Sequence, residues 1–210
     1  MKKIEKSWIV IDGSLKEIDF AGDSHYRFPE ELVELVLATY SKEGDWVLDP
    51  FSGWGTTVHA AQRMGRNGVG FEVDSERAAY ANKALKEPNK IINARIETID
   101  TLEMPKFDLV FTSPPYVTLR LEDDAWGVTY FDDMRSIFGK IHRTLKPTAT
   151  VVMEVSNIRT PDGVRPLAWQ MGELLSEIFT FQGEVIRCNT SGMNAGPGFN
   201  HSYLLVYKNR

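Results

Sequence analysis

Short apolar runs and stretches of helical period take turns along this chain, and that alternation restricts its fold more than any other feature. Strand candidates lie at 45–51, 67–74, 90–96, 106–112 and 149–156, and helix candidates at 28–40, 55–65, 75–86, 131–147 and 164–181. In the first helix Leu32, Leu35, Val36 and Tyr40 recur at helical spacing, with Pro29 near the first turn and acidic residues early. Ser75 reads as the cap of the third helix and Pro147 as the stop of the fourth. Strands separated by helices predict an α/β fold with a doubly wound, mostly parallel sheet. The closing strands, 183–190 and 201–209, have no helix between them and are expected as an antiparallel pair at the sheet edge. With no repeat or linker-like run, a single domain over 1–210 is expected, residues 1–24 forming an N-terminal extension.

Composition narrows the function. Hydrophobic residues make up 42% and charged residues 25% of the chain, an ordinary balance for a soluble globular protein. No apolar run approaches the roughly 18 residues that a membrane span needs, so no membrane association is expected. The apolar stretch in MKKIEKSWIVIDGS is too short for a signal peptide. The one cysteine, Cys188, excludes an internal disulfide and suits a reducing cytoplasm. His25, His59, His142 and His201 show no metal spacing, and no metal is expected. The formal net charge of −5 argues against strong non-specific binding to nucleic acid, which needs Lys and Arg against phosphates, although a local basic cleft can exist on an acidic protein.

Two loops carry chemistry. VLDPFSGWGTT (47–57) places Asp49 at a strand's carboxyl end, then Gly53 and Gly55, then a helix. In open α/β sheets such a crevice binds ligands: the glycines allow close backbone approach, and the helix amides can meet an anionic group. The loop lacks the lysine of a phosphate-cradling loop. Glu72, near the end of the next strand, stands where a carboxylate can accept both ribose hydroxyls of a nucleoside; Asp74 is its local rival but looks more like a helix entry. A nucleoside-bearing cofactor fits this pair. The second loop is DLVFTSPPYV (108–117), where an apolar strand ends on two prolines that cannot pair their nitrogens. Alone, it is better explained by a Pro-Pro strand stop with a buried tyrosine.

Together, DPFSGWGTT and SPPY resemble the amino-methyltransferase family, S-adenosylmethionine-dependent enzymes that methylate the exocyclic amine of cytosine (N4) or adenine (N6) in nucleic acid. RFPEELVELVLATY, TLKP and NHSYLLVYK are similar to further family segments, so the resemblance runs from about His25 to the end. It implies a Rossmann-like methyltransferase fold and S-adenosylmethionine as cofactor. It also implies cofactor contacts from Arg27, Phe28, Asp49, Pro50, Phe51, Gly53, Gly55, Thr56, Thr57, Glu72 and Ile96. Trp54 replaces the family's usual serine, and Ile96 stands where an acidic residue often meets the adenine amine. The cofactor loop precedes the catalytic motif, the reverse of many Ser-Pro-Pro-Tyr enzymes.

The resemblance assigns catalysis to Ser113, Pro114, Pro115 and Tyr116. An exocyclic amine is a poor nucleophile because its lone pair is delocalised into the ring. Two acceptors aimed at its N–H groups, Ser113 Oγ and the Pro114 carbonyl, would favour the tetrahedral nitrogen that attacks a methyl group. Prolines place no donor there, and Tyr116 can stack on the base. Serine leans towards N4 of cytosine. The substrate is expected to be DNA, with structured RNA a close rival; a protein glutamine side chain and a non-catalytic cofactor-binding subunit are weaker alternatives. No separate target-recognition region is expected, which leaves room for a specificity-giving partner protein or a homodimer. The loops 117–130 and 189–201 are candidate substrate covers, or merely a solvated loop and a hairpin turn.

Overall fold

The structure, a computed structural model, describes residues 2–15, 27–115, 129–190 and 199–210. Its elements run β1 (Trp8–Ile11), α1 (Glu30–Tyr40), β2 (Trp46–Asp49), α2 (Thr56–Arg63), β3 (Asn67–Glu72), α3 (Ser75–Asn82), β4 (Lys90–Asn93), a 3-10 helix (Ile96–Thr101) and β5 (Phe107–Thr112). They continue through α4 (Tyr130–Thr144), β6 (Leu145–Val155), the short hairpin β7 (Ile158–Thr160) and β8 (Gly163–Arg165), α5 (Leu167–Ile178), β9 (Thr180–Asn189) and β10 (His201–Lys208). Eight strands form one sheet in the order β1-β9-β10-β6-β5-β2-β3-β4. All pair in parallel except β10, which runs against both β6 and β9.

The apolar runs explain the layering. Leu48 of β2 and Val110 of β5 pack on one face with α4, α5 and the 3-10 helix; Val47, Leu109 and Phe111 pack on the other with α1 and α2. A strand buried on both faces reads as continuous hydrophobicity, which is why the sequence shows no alternation there. Between β2 and β5 the connections change face, and this creates the crevice at the strands' carboxyl ends.

Three expectations are corrected. The predicted antiparallel pair forms, but it does not end the sheet: β1, from the expected extension, pairs in parallel with β9 and takes the edge. Its Trp8 and Val10 are exposed while Ile11 is buried, too faint an alternation to be read as a strand from four residues. The cap of α3 is Asp74, whose Oδ1 accepts from the backbone N–H groups of Glu76 and Arg77, rather than Ser75. These bonds, that from Arg77 foremost, hold the Asp74 carboxyl below its usual range. Finally, α4 stops at Thr144, and Pro147 lies within β6 at a register shift against β5, a bulge where a missing N–H is tolerated.

Candidate active site

The glycine loop leaves β2 at Asp49 and is tied to β3 through Ser52, whose N–H and hydroxyl both donate to the Phe71 carbonyl (2.9 and 3.0 Å). Close seating of Ser52 requires Gly70 on β3, because a Cβ there would fall 2.7 Å from the Ser52 side chain. Gly53 and Gly55 both adopt positive φ (51° and 77°). At Gly55 a Cβ would collide with Ile91 Cδ1 at 2.6 Å, whereas at Gly53 it would meet nothing within 4 Å. So Gly55 serves packing, and Gly53 borders the open side of the loop. Thr56 and Thr57 then begin α2, Thr57 being buried.

Asp49 is 2% exposed. Its Oδ1 accepts from the Phe51 N–H (3.2 Å) and from the Thr112 hydroxyl (2.7 Å). Burial raises its pKa from 3.8 to about 6; the hydroxyls of Thr57 and Thr112 and the Phe51 N–H restrain the rise, and the nearby Glu72 charge adds to it. Thr112 immediately precedes Ser113, so this hydrogen bond joins the two sequence motifs across adjacent strands. No local pattern pointed to Thr112, because the contact spans 63 positions.

Glu72 ends β3, nearly buried. Its Oε1 accepts from the Asp74 N–H at 2.8 Å, and among the described residues no hydrogen bond is recorded to Oε2. Asn93 donates to the Glu72 and Val73 carbonyls and steadies the strand end. Ile96 is buried at the start of the 3-10 helix, and Pro50 is buried too, while Phe51 packs partly on the core beneath. Arg27 and Phe28 precede α1, and the Phe28 ring stacks on Phe111 at 4.6 Å. Trp54 is buried, edge-on to Tyr80 of α3 (5.6 Å), with the Arg77 guanidinium over its ring. The departure from serine thus packs the loop against α3.

Ser113, Pro114 and Pro115 follow β5 directly, Pro114 buried and the other two half-buried. Tyr116, and the loops at 117–128 and 191–198, lie outside the described residues. The structure therefore brings Asp49, the glycine loop, Glu72 and Ser113 to the carboxyl ends of β2, β3 and β5. A cavity of about 270 Å³ lined by Ile99, Leu102, Lys106 and Arg143 lies towards the opposite, amino end of β5. Among the described residues, no group of three or more His, Cys, Asp or Glu could hold a metal, and no helix is long and apolar enough to cross a membrane.

A parallel sheet with one reversed strand next to β9, and a glycine loop at its switch point, has the architecture of the Rossmann-like methyltransferases. The PH0226 protein of Pyrococcus horikoshii OT3 superposes with a TM-score of 0.61 at 20% identity, over 90% of this chain and 92% of that one. TrmN of Thermus thermophilus does so with a TM-score of 0.59 at 16% identity, over 86% and 49%. At these identities the likeness concerns the fold.

Sequence is more particular. The N6/N4-type DNA methylase family model matches residues 2–83. The type II methyltransferase M2.DpnII of Streptococcus pneumoniae is 37% identical over 91 residues, 42% of this chain and 33% of the relative. M.MthZI of Methanothermobacter thermautotrophicus is 44% identical over 73 residues, 33% of this chain and 21% of the relative. The matched region thus spans a third or less of the length of these curated relatives.

Proposed function

We propose that this protein transfers a methyl group from S-adenosylmethionine to the exocyclic amine of a base in DNA, at N4 of cytosine. The observation that carries the reading is the Thr112–Asp49 hydrogen bond, which ties the glycine loop of a DNA methylase family to the Ser-Pro-Pro segment at one crevice. DNA is favoured over RNA and protein because the sequence relatives are type II methyltransferases and a DNA methylase model matches residues 2–83 of this chain.

The residues present suit the cofactor. The open side of Gly53 gives a nucleoside room against the backbone, and Glu72 Oε2 can accept from a ribose hydroxyl. The amides of Thr56 and Thr57 begin a helix and favour an anionic group such as the amino-acid carboxylate. Ile96 would offer an apolar wall to the adenine, and Arg27, Phe28, Pro50 and Phe51 would hold the methionine end. When bound, the cofactor supplies an electrophilic methyl group on a sulfonium sulfur.

Ser113 Oγ and the Pro114 carbonyl hold the two amine hydrogens and direct the nitrogen lone pair at that methyl group. With the cofactor bound, the amine held by these two acceptors would take up the methyl group and release its extra proton to water. The family resemblance gives Tyr116 the role of stacking on the base. Tritiated methyl transfer to DNA, RNA and protein, followed by nucleoside mass spectrometry, tests the reading. N4-methylcytosine from DNA is expected; N6-methyladenine would overturn the base assignment, and label only in RNA or protein would overturn the substrate. Ser113→Ala is expected to bind the cofactor normally and lose transfer by at least about 100-fold.

A further inference from the structure

Behind Ser113 lies a buried ionic network that none of the sequence motifs contains. The parallel register of β5 and β6 pairs Phe111 with Val152 and Thr112 with Met153, and its continuation sets Ser113 beside Glu154. Arg187 donates to the Glu154 carboxyl, and the Ser113 and Ser202 hydroxyls are near enough to help hold its pKa down. Arg187 Nη1 lies 3.2 Å from Glu154 Oε1, with both side chains only 6% exposed. Arg187 extends across β10, where Ser202 is its register partner, and its Nη2 donates to Asn189 Oδ1 at 2.9 Å. Asn189 in turn pairs with Ile11 of the edge strand, and a Cβ on Gly13 (φ 70°) would fall 2.5 Å from its side chain. The network therefore runs from the edge strand through β9 and β6 to the last residue before the two prolines.

A buried carboxylate–guanidinium pair is a poor way to gain stability, since desolvation of both ions offsets most of their attraction. It can, however, solve a problem particular to serine. An aspartate facing an amine presents only acceptors, but a serine hydroxyl also carries a proton and is free to rotate it towards the substrate. A donor would then confront the donors of the amine. A carboxylate fixed on the far side of Ser113 takes that proton in a hydrogen bond and leaves the oxygen lone pairs facing the crevice.

We propose that Glu154, kept ionised by Arg187, is a positioning residue that fixes the Ser113 hydroxyl as an acceptor for the substrate amine. The proton stays on Ser113 throughout, so no further base is involved. Burial pushes the Glu154 carboxyl up, while the Arg187 charge at 3.2 Å and the neighbouring hydroxyls oppose that rise.

This inference rests on the amine-methylation reading, and two measurements separate the failure of one from the failure of the other. The first needs no turnover. With 13C-labelled glutamate, the Glu154 carboxyl resonance, identified by its loss in Glu154→Gln, should titrate at higher pH in Ser113→Ala than in wild type, because a hydrogen bond to the charged form is gone. An unchanged titration overturns the contact and with it the proposal. The second uses DNA methylation. Glu154→Gln is isosteric, but its carbonyl will turn to Arg187 and its amide will donate to Ser113. It should lower kcat by about 10- to 100-fold, with cofactor affinity unchanged. In a Ser113→Ala background the same substitution should change kcat less than about threefold, because the residue through which it acts is absent. An equal loss in both backgrounds would make Glu154 merely structural and refute the proposal. If Glu154→Gln fails to fold, Glu154→Asp supplies the assignment under glutamate labelling, and the carboxyl titration in Ser113→Ala still decides. If the wild-type protein methylates no base amine, the proposed function falls, and the titration reports on the contact alone.

Discussion

Replacing Asp49 by Asn should make this protein more resistant to unfolding at neutral pH than in acid, relative to wild type. The reason is the raised pKa. An aspartate that titrates at 3.8 when unfolded and at about 6 when folded holds its proton more tightly in the native state. Its contribution to stability is complete below 3.8 and is lost as pH rises through about 6. At about 1.4 kcal/mol for each pH unit between the two values, the full loss is roughly 3 kcal/mol, of which about 2 kcal/mol falls between pH 4 and pH 7. Asparagine removes the titration but keeps an oxygen for Thr112 Oγ1 and the Phe51 N–H, at a pH-independent cost of about 1–3 kcal/mol for its buried amide hydrogens. Urea unfolding of both proteins at pH 4, 5, 6 and 7 reads the difference directly. The stability of Asp49→Asn relative to wild type should rise by about 2 kcal/mol across that range. A difference that stays flat, or falls with pH, would refute the claim that burial dominates the titration of this carboxyl. Groups remote from Asp49 titrate alike in both proteins, so their contributions cancel in the comparison.

Thr112→Val removes the hydroxyl that bridges the two motifs. It should cost about 1–2 kcal/mol in thermal or urea unfolding and move the Asp49 titration to still higher pH. The two loop glycines should fail differently: Gly55→Ala is expected to lose about 1–3 kcal/mol of stability through its positive φ and the clash with Ile91, as read by urea unfolding. Gly53→Ala, with open space for its methyl group, should lose less stability and should instead weaken cofactor binding in calorimetry. Glu72→Gln should weaken that binding by at least about tenfold while leaving the melting temperature within a few degrees, as expected for the loss of a charge-assisted hydrogen bond.

Sequence by itself determined the parts whose signals are local. Apolar runs and helical spacing placed the elements from α1 to β6 within a few residues, since burial on both faces of a strand leaves a mark in consecutive residues. Asp49, Gly53, Gly55 and Glu72 were legible because a strand end, a tight turn and a second strand end follow one another along the chain. Ser113 stood out because two prolines after an apolar strand demand an explanation.

Only the tertiary structure decided what those residues face. Thr112 is unremarkable in the chain and becomes the link between the motifs because β5 lies beside β2. Glu154 and Arg187 each sit within an apolar strand, and nothing in their neighbours marks them as a pair; the reversed β10 between β6 and β9 brings them together. Residues 8–11 are too few to declare a strand, yet the open edge of β9 provides the hydrogen-bonding partners that make them one. In each case the determining interaction joins residues far apart in sequence, and its existence depends on strand order and register, which no local pattern of residues encodes.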